Sequence, residues 1–158
     1  MLNGKTLGGL ALLRNLRNME QAGVDRSLIR DSVLNMRTDR ILPFRFISAA
    51  KYAPTLEDVL EKAMLKSLAD APKLKGHTVL LVDNSGSMTW ANVSARSELN
   101  RQDAAGALAI LLREICEDVT VLAFSNTVTP VANRRGFGLA EAIKRTPCGG
   151  THLGKAVQ

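Results

Sequence analysis

The chain has 158 residues, 46% of them apolar and 23% charged, which is enough for one globular domain with a core or for pieces of two. Its net charge of +6 permits a polyanionic partner, and the excess is uneven: residues 1–52 hold nine Lys/Arg against four acids, whereas the other 106 hold 12 against 11. No apolar run approaches the ~20 residues of a membrane span, and the start MLNGK lacks the long apolar core of a signal peptide, so no membrane partner is expected.

Taken in chain order, the first pattern is helical. Leu7, Leu10, Ala11, Leu13 and Leu16 recur at three- and four-residue spacing and predict one face of a helix, with Lys5, Arg14 and Arg17 largely on other faces. A second helix is expected over 25–36, with Asp25 as N-cap and Val24, Leu28, Ile29, Val33 and Leu34 as its apolar stripe. Pro43 interrupts the run ILPFRFISAAKYA and opens a third. Pro54-Thr55 starts a fourth, with Thr55 as cap, Glu57 and Asp58 in the first turn, and Leu56, Val59, Leu60, Ala63, Met64 and Leu68 on its buried side. Four short helices in succession look like the tail of a helical-repeat array, although no fixed period is visible within the chain.

Near Leu74 to Gly76 the pattern changes to alternating strands and helices. A buried strand is expected over 78–82, a helix over 103–116 and a second strand over 119–124. A third strand over 127–131 pairs with the second through a tight Ser125-Asn126 turn, and a short helix follows over 139–145. The expected class is α/β, with a helical part over 1–74 and an open-sheet Rossmann-like part over 75–158. Cys116 and Cys148 form no CxxC motif and read as free thiols in a reducing, cytoplasmic compartment; Cys116 belongs to a core run and Cys148 to an exposed turn.

Ligands of open α/β sheets bind beyond the carboxyl ends of the strands. Such an end carries HTVLLVDNSGSM, residues 77–88, in which Asp83, Ser85 and Ser87 alternate. Hard oxygen ligands grouped in this way suit a Mg²⁺-class cation that keeps several waters. A plain turn that caps a helix is the other reading of Ser-Gly-Ser. His77 and His152 read as surface residues, and neither serine has a Ser-His-Asp context. No general base stands beside the motif to use a metal-activated water, so the chain is expected not to be an enzyme. Asp103 reads as a first-turn helix acid and Trp90 as a packing residue beside the motif.

VLLVDNSGSM resembles the DxSxS element of the metal-ion-dependent adhesion site of von Willebrand factor A domains, and Gly149-Gly150-Thr151 resembles that family's second element. The resemblance implies that Ser85 Oγ, Ser87 Oγ and Thr151 Oγ1 are metal ligands. It implies that Asp83 holds the ion directly or through water. An open coordination position would take a carboxylate from a protein ligand. LGGLALLRNLRNM and RILPFRFISAAKYAP, followed by an A domain, are similar to the end of a TROVE module joined to its A domain, the arrangement of the Ro autoantigen family. That likeness implies a cytoplasmic RNA-binding ribonucleoprotein with a divalent cation, most simply Mg²⁺. In that family a ring of helical repeats binds small noncoding Y RNAs on its outside and single-stranded ends of misfolded RNAs in its hole. Lys5, Arg14 and Arg17 are then the candidate RNA contacts.

The sequence also departs from the family pattern. The ring needs more than four helices, and an A domain continues beyond Gln158 with a strand that pairs with the first strand and brings a further aspartate. His152 stands where relatives commonly have an acid. These departures imply a fragment that takes its missing strands from another chain. The alternative function is a metal-dependent protein-binding A domain whose helical part is only a connector.

Overall fold

The spacing of apolar residues over the first 70 positions produces four helices: α1 (Gly9–Gln21), α2 (Arg26–Asn35), α3 (Pro43–Tyr52) and α4 (Glu57–Leu68), the last preceded by a 3-10 turn over Pro54–Leu56. They are seen in a computed structural model of the chain, which describes residues 7–39, 41–95, 97 and 99–157. The chain divides after Asp70 into two units.

In the first unit Asp25 caps α2 by accepting from the backbone N–H of Ser27 at 2.7 Å and of Leu28 at 3.2 Å. Pro43 occupies the first turn of α3, where its missing N–H costs no helical bond. The core is built on Leu16, Ile29, Val33, Phe46, Leu60 and Met64. The predicted stripe of α1 is shifted: Gly9, Leu12, Leu13 and Leu16 are buried, while Leu7 and Leu10 are exposed. Gly9 is needed there because a Cβ would run into the Arg37 carbonyl oxygen and the Ile41 side chain. Thr55 does not cap α4; its hydroxyl donates to Glu20 Oε1, and the 3-10 turn supplies the entry instead.

The second unit is a Rossmann-like α/β arrangement. Strands β1 (Leu74–Asp83), β2 (Cys116–Phe124) and β3 (Val128–Pro130) lie in the order β1-β2-β3. β1 and β2 are parallel, with Thr78 opposite Val119 and Asp83 opposite Phe124; β2 and β3 are antiparallel. The turn after β1 begins α5 (Gly86–Trp90), the crossover is α6 (Arg101–Ile115), α7 (Gly136–Lys144) packs on α6, and α8 (Leu153–Ala156) closes the described chain. Gly106 on α6 meets Ala140 on α7; a Cβ at Gly106 would stand 3.1 Å from the alanine methyl, so the small residue sets the helix approach.

Several boundaries differ from those expected of the sequence. β1 begins at Leu74 rather than 78, at the point where the pattern changes. The 79–82 segment is buried on one face: Leu80 and Val82 point inward while Val79 is 52% exposed. Helix α6 starts two residues early because Asn100, not a later residue, supplies the cap: its side chain accepts from Asp103 N–H at 2.8 Å and Asp103 accepts from Asn100 N–H at 3.2 Å. Cys116 is not helical; it opens β2 directly, and it is buried while Cys148 is exposed. β3 is shorter than expected, and α7 begins three residues early at Gly136, whose φ of +56° suits glycine. Among the described residues no helix is long and apolar enough to cross a membrane.

One ion pair ties the crossover to the segment before α7. The buried carboxylate of Glu114 accepts from Arg135 Nε at 2.8 Å and from its Nη2. The Arg135 hydrogen bonds hold the Glu114 carboxyl below its ordinary value of 4.5, against the opposing effect of burial. A depressed carboxyl stabilises the fold above its unfolded value, and this contribution is lost as pH falls through the folded value. The stability of the second unit is therefore expected to be flat above about pH 5 and to fall below it. Arg135→Ala should flatten that acid limb in urea titrations followed by circular dichroism, and an unchanged limb would reject the assignment.

Candidate functional site

β1 ends at Asp83, and the next backbone N–H, of Asn84, still reaches the Phe124 carbonyl at 2.9 Å. The chain then turns sharply because Asp83 Oδ1 accepts from the Ser85 N–H at 2.8 Å, a side-chain-closed turn that aspartate favours. This turn buries Ser85 and sets its Oγ 3.3 Å from Ser87 Oγ on the exposed first turn of α5. Asp83 is half-buried at the same rim.

A second loop is fastened against the turn. Gly86 N–H donates to the Gly149 carbonyl at 2.8 Å, Ser125 Oγ to the Pro147 carbonyl at 2.7 Å, and His152 N–H to the Ser125 carbonyl at 3.0 Å. Asn126 Oδ1 accepts from Gly150 N–H at 2.8 Å. Both glycines lie close against Asn126: a Cβ at Gly149 would stand 2.5 Å from its Nδ2 and one at Gly150 2.8 Å from its Oδ1, so a side chain at either position would displace the Asn126 amide. The loop carries Thr151, which is exposed and follows the Gly149-Gly150 pair that Gly86 and Asn126 hold.

The residue that joins these parts is not among those the sequence singles out. Asn84 is wholly buried. Its Nδ2 donates to the Thr146 carbonyl at 3.0 Å and to Thr146 Oγ1 at 2.8 Å, and its Oδ1 accepts from Gln102 Nε2 on α6. One amide thus links the motif, the crossover helix and the segment that leads to Thr151. A signal for it exists in the alternation of β1: Leu80 and Val82 face inward, and position 84 continues that register.

The two serine hydroxyls are spaced as adjacent ligands of a hard, octahedral cation would be. Adjacent ligands at a Mg–O distance of about 2.0–2.1 Å stand about 3 Å apart, close to the Ser85–Ser87 separation. Asp83 supplies the one negative charge and keeps Oδ2 beyond its turn bond. Three hydroxyls and one carboxylate make a hard donor set, unsuited to a soft metal.

The other candidate residues fall elsewhere. Arg14 and Arg17 are exposed on α1, one turn apart, and the Arg17 guanidinium lies 5.8 Å from the Tyr52 ring centroid. Lys5 lies outside the described residues. Trp90 is not a packing residue: it is 88% exposed. His152 is on the surface. His77 is half-exposed toward the opposite end of β1 from the motif, with Nδ1 2.6 Å from Asp118 Oδ2 and Nε2 3.3 Å from Thr120 Oγ1, partners that the sequence did not reveal.

A helical unit followed by a Rossmann-like unit, with an oxygen-rich turn at the carboxyl ends of its strands, defines the class to which the chain is similar. Among solved structures it resembles the Ro (RSR) protein of Deinococcus radiodurans, at 25% identity over 92% of this chain with a TM-score of 0.64. That likeness supports a relationship to the Ro/TROVE family. The chain spans 34% of the length of the Deinococcus protein. No protein-family model matches it, and no curated protein matches it.

Proposed function

We propose that the chain is a noncatalytic, cytoplasmic RNA-binding component of a Ro-type ribonucleoprotein, taking small noncoding RNA of the Y-RNA kind or misfolded RNA. The observation that carries the reading is the likeness to a Ro protein across 92% of the chain, which takes in residues of both units. On α1 the exposed guanidiniums of Arg14 and Arg17 are the groups to engage phosphate oxygens. On the second unit Asp83, Ser85, Ser87 and Thr151 would hold Mg²⁺. When bound, the cation supplies an open coordination position for an anionic oxygen. The chain's own part is to keep two hydroxyls and one carboxylate together through the Asp83 turn and the Gly86–Gly149 bond.

Filter binding to a structured RNA with a single-stranded 3′ end should give a steep fall of affinity with salt. The double variant Arg14→Ala/Arg17→Ala should lower the logarithmic salt slope by about 1.4, at roughly 0.7 for each phosphate no longer neutralised. An unchanged slope would remove these two arginines from the interface.

A second reading is favoured by one feature, the exposure of Ser87 and Thr151 at the rim. A partner protein's carboxylate would reach a cation there, making the unit a metal-dependent protein-binding domain. Mg²⁺-dependent capture of a carboxylate-bearing protein, abolished in Asp83→Ala and without any RNA binding, would decide for it.

A further inference from the structure

Between the β3 edge and α7 the second unit carries a groove of about 380 Å³. Thr129 and Val131 line one side, and Arg134, Gly138, Glu141 and Arg145 the other. Four cations bracket α7, two just before it and two at its end. Two of them are used within the unit: Arg135 by Glu114, and Lys144 by Glu141 at 3.0 Å and Asp103 at 3.4 Å. The remaining two, Arg134 and Arg145, are exposed and line the groove, and neither forms an ion pair among the described residues. The one carboxylate in the lining, Glu141, is the one that Lys144 already holds, so the free charge of the groove is positive.

Gly138 is a second, independent sign. It lies inside α7 and is exposed, a position where glycine weakens a helix. Packing does not demand it, because a Cβ there would stand 3.8 Å from Arg134 Cβ, an ordinary contact. Its φ is not positive either. Gly138 lines the groove, where a longer side chain would lie beside Arg134.

We infer that this groove is a phosphodiester-binding site, seating a stretch of RNA backbone between Arg134 and Arg145. It is a contact surface on the Rossmann-like unit, separate from the arginines of α1. The inference rests on the RNA-binding reading above. Planar guanidiniums match phosphate oxygens as two-pronged donors. The lining holds no aromatic ring and no large apolar side chain to anchor a peptide, which sets RNA ahead of an acidic peptide as the occupant.

The test is fluorescence anisotropy of the full chain with a short labelled oligouridylate across a range of KCl concentrations. Arg134→Ala/Arg145→Ala should weaken binding about tenfold and lower the logarithmic salt slope by about 1.4, at roughly 0.7 for each phosphate no longer neutralised. Gly138→Glu retains both arginines, favours the helix and places a carboxylate in the groove; it should weaken binding to a similar extent. Circular dichroism melts of both variants confirm that they are folded. Wild-type affinity in both variants overturns the groove. If only Arg14→Ala/Arg17→Ala loses affinity, the groove fails and the RNA reading stands. If the wild-type chain binds no oligonucleotide, both fail. Stronger displacement by polyglutamate than by unlabelled oligouridylate would assign the groove to acidic peptides and overturn the RNA assignment.

Discussion

Replacing Asn84 by alanine is expected to destabilise the Rossmann-like unit by about 2–4 kcal/mol, because it orphans a buried partner, Gln102, and a half-buried one, Thr146. Asn84 is fully buried, and its amide donates twice to Thr146 while accepting from Gln102, itself 8% exposed. Deleting the amide leaves Gln102 Nε2 and the Thr146 carbonyl without this partner, at about 1–3 kcal/mol for each group that water cannot reach. A cavity adds to the loss. The same amide ties the turn at residues 83–87 to the segment that carries Thr151, so cation binding should weaken with it. Urea unfolding by circular dichroism is the check. A loss below about 0.5 kcal/mol would mean that the network relaxes around the missing amide and contributes little.

The parts of the fold legible in the sequence were those set by short-range spacing. Asp25 before a polar-apolar repeat, Pro43 at a helix start, and the apolar i, i+3, i+4 series of α4 each have a local cause, and each stands where that cause places it. Positions set by distant partners were not legible. The VLLV run reads as a strand buried on both faces, yet Val79 is exposed; an apolar run alone does not say how many faces a sheet covers. On α1 the leucines are so frequent that several stripes fit; the close approach of the Arg37 carbonyl to Gly9 selects one of them. Thr55 has the chemistry of a cap but is drawn to Glu20, 35 residues away.

The candidate site divides in the same way. Asp83, Ser85 and Ser87 alternate within five residues, and a turn that aspartate closes by itself brings the two hydroxyls together. The attachment of the Thr151 loop runs through Gly86 to Gly149 and through Asn126 to Gly150, bonds that join positions 63 and 24 residues apart and leave no local pattern. Asn84 sits between two conspicuous oxygens and reads as a spacer until strand alternation is carried one step past the strand. The groove residues Arg134 and Arg145 are equally silent in sequence. Only the capture of Arg135 and Lys144 by acids distinguishes the two free cations from their neighbours.

Removing the charge of Asp83 is expected to abolish the stabilisation of the second unit by Mg²⁺. A cation that binds only the folded form raises stability by about 2.7 kcal/mol at a hundredfold excess over its dissociation constant. Asp83 is the one anionic member of the proposed ligand set; without it Ser85, Ser87 and Thr151 offer neutral hydroxyls to an ion that gives up water reluctantly. Two variants separate this effect from simple damage to the turn. Asp83→Asn keeps an oxygen that can accept from the Ser85 N–H, now at 2.8 Å, so its melting temperature without metal should stay near that of the parent. Asp83→Ala removes the acceptor as well and should melt lower even without metal, by the equivalent of about 1 kcal/mol for one hydrogen bond. Both variants should lose the dependence of melting temperature on MgCl₂ that the parent displays. Ser87→Ala, at an exposed position, should only weaken that dependence, since it deletes one neutral donor. A parent chain whose melting temperature ignores MgCl₂ would sink the cation assignment. An Asp83→Asn variant that retains the full response would move the ion away from this carboxylate.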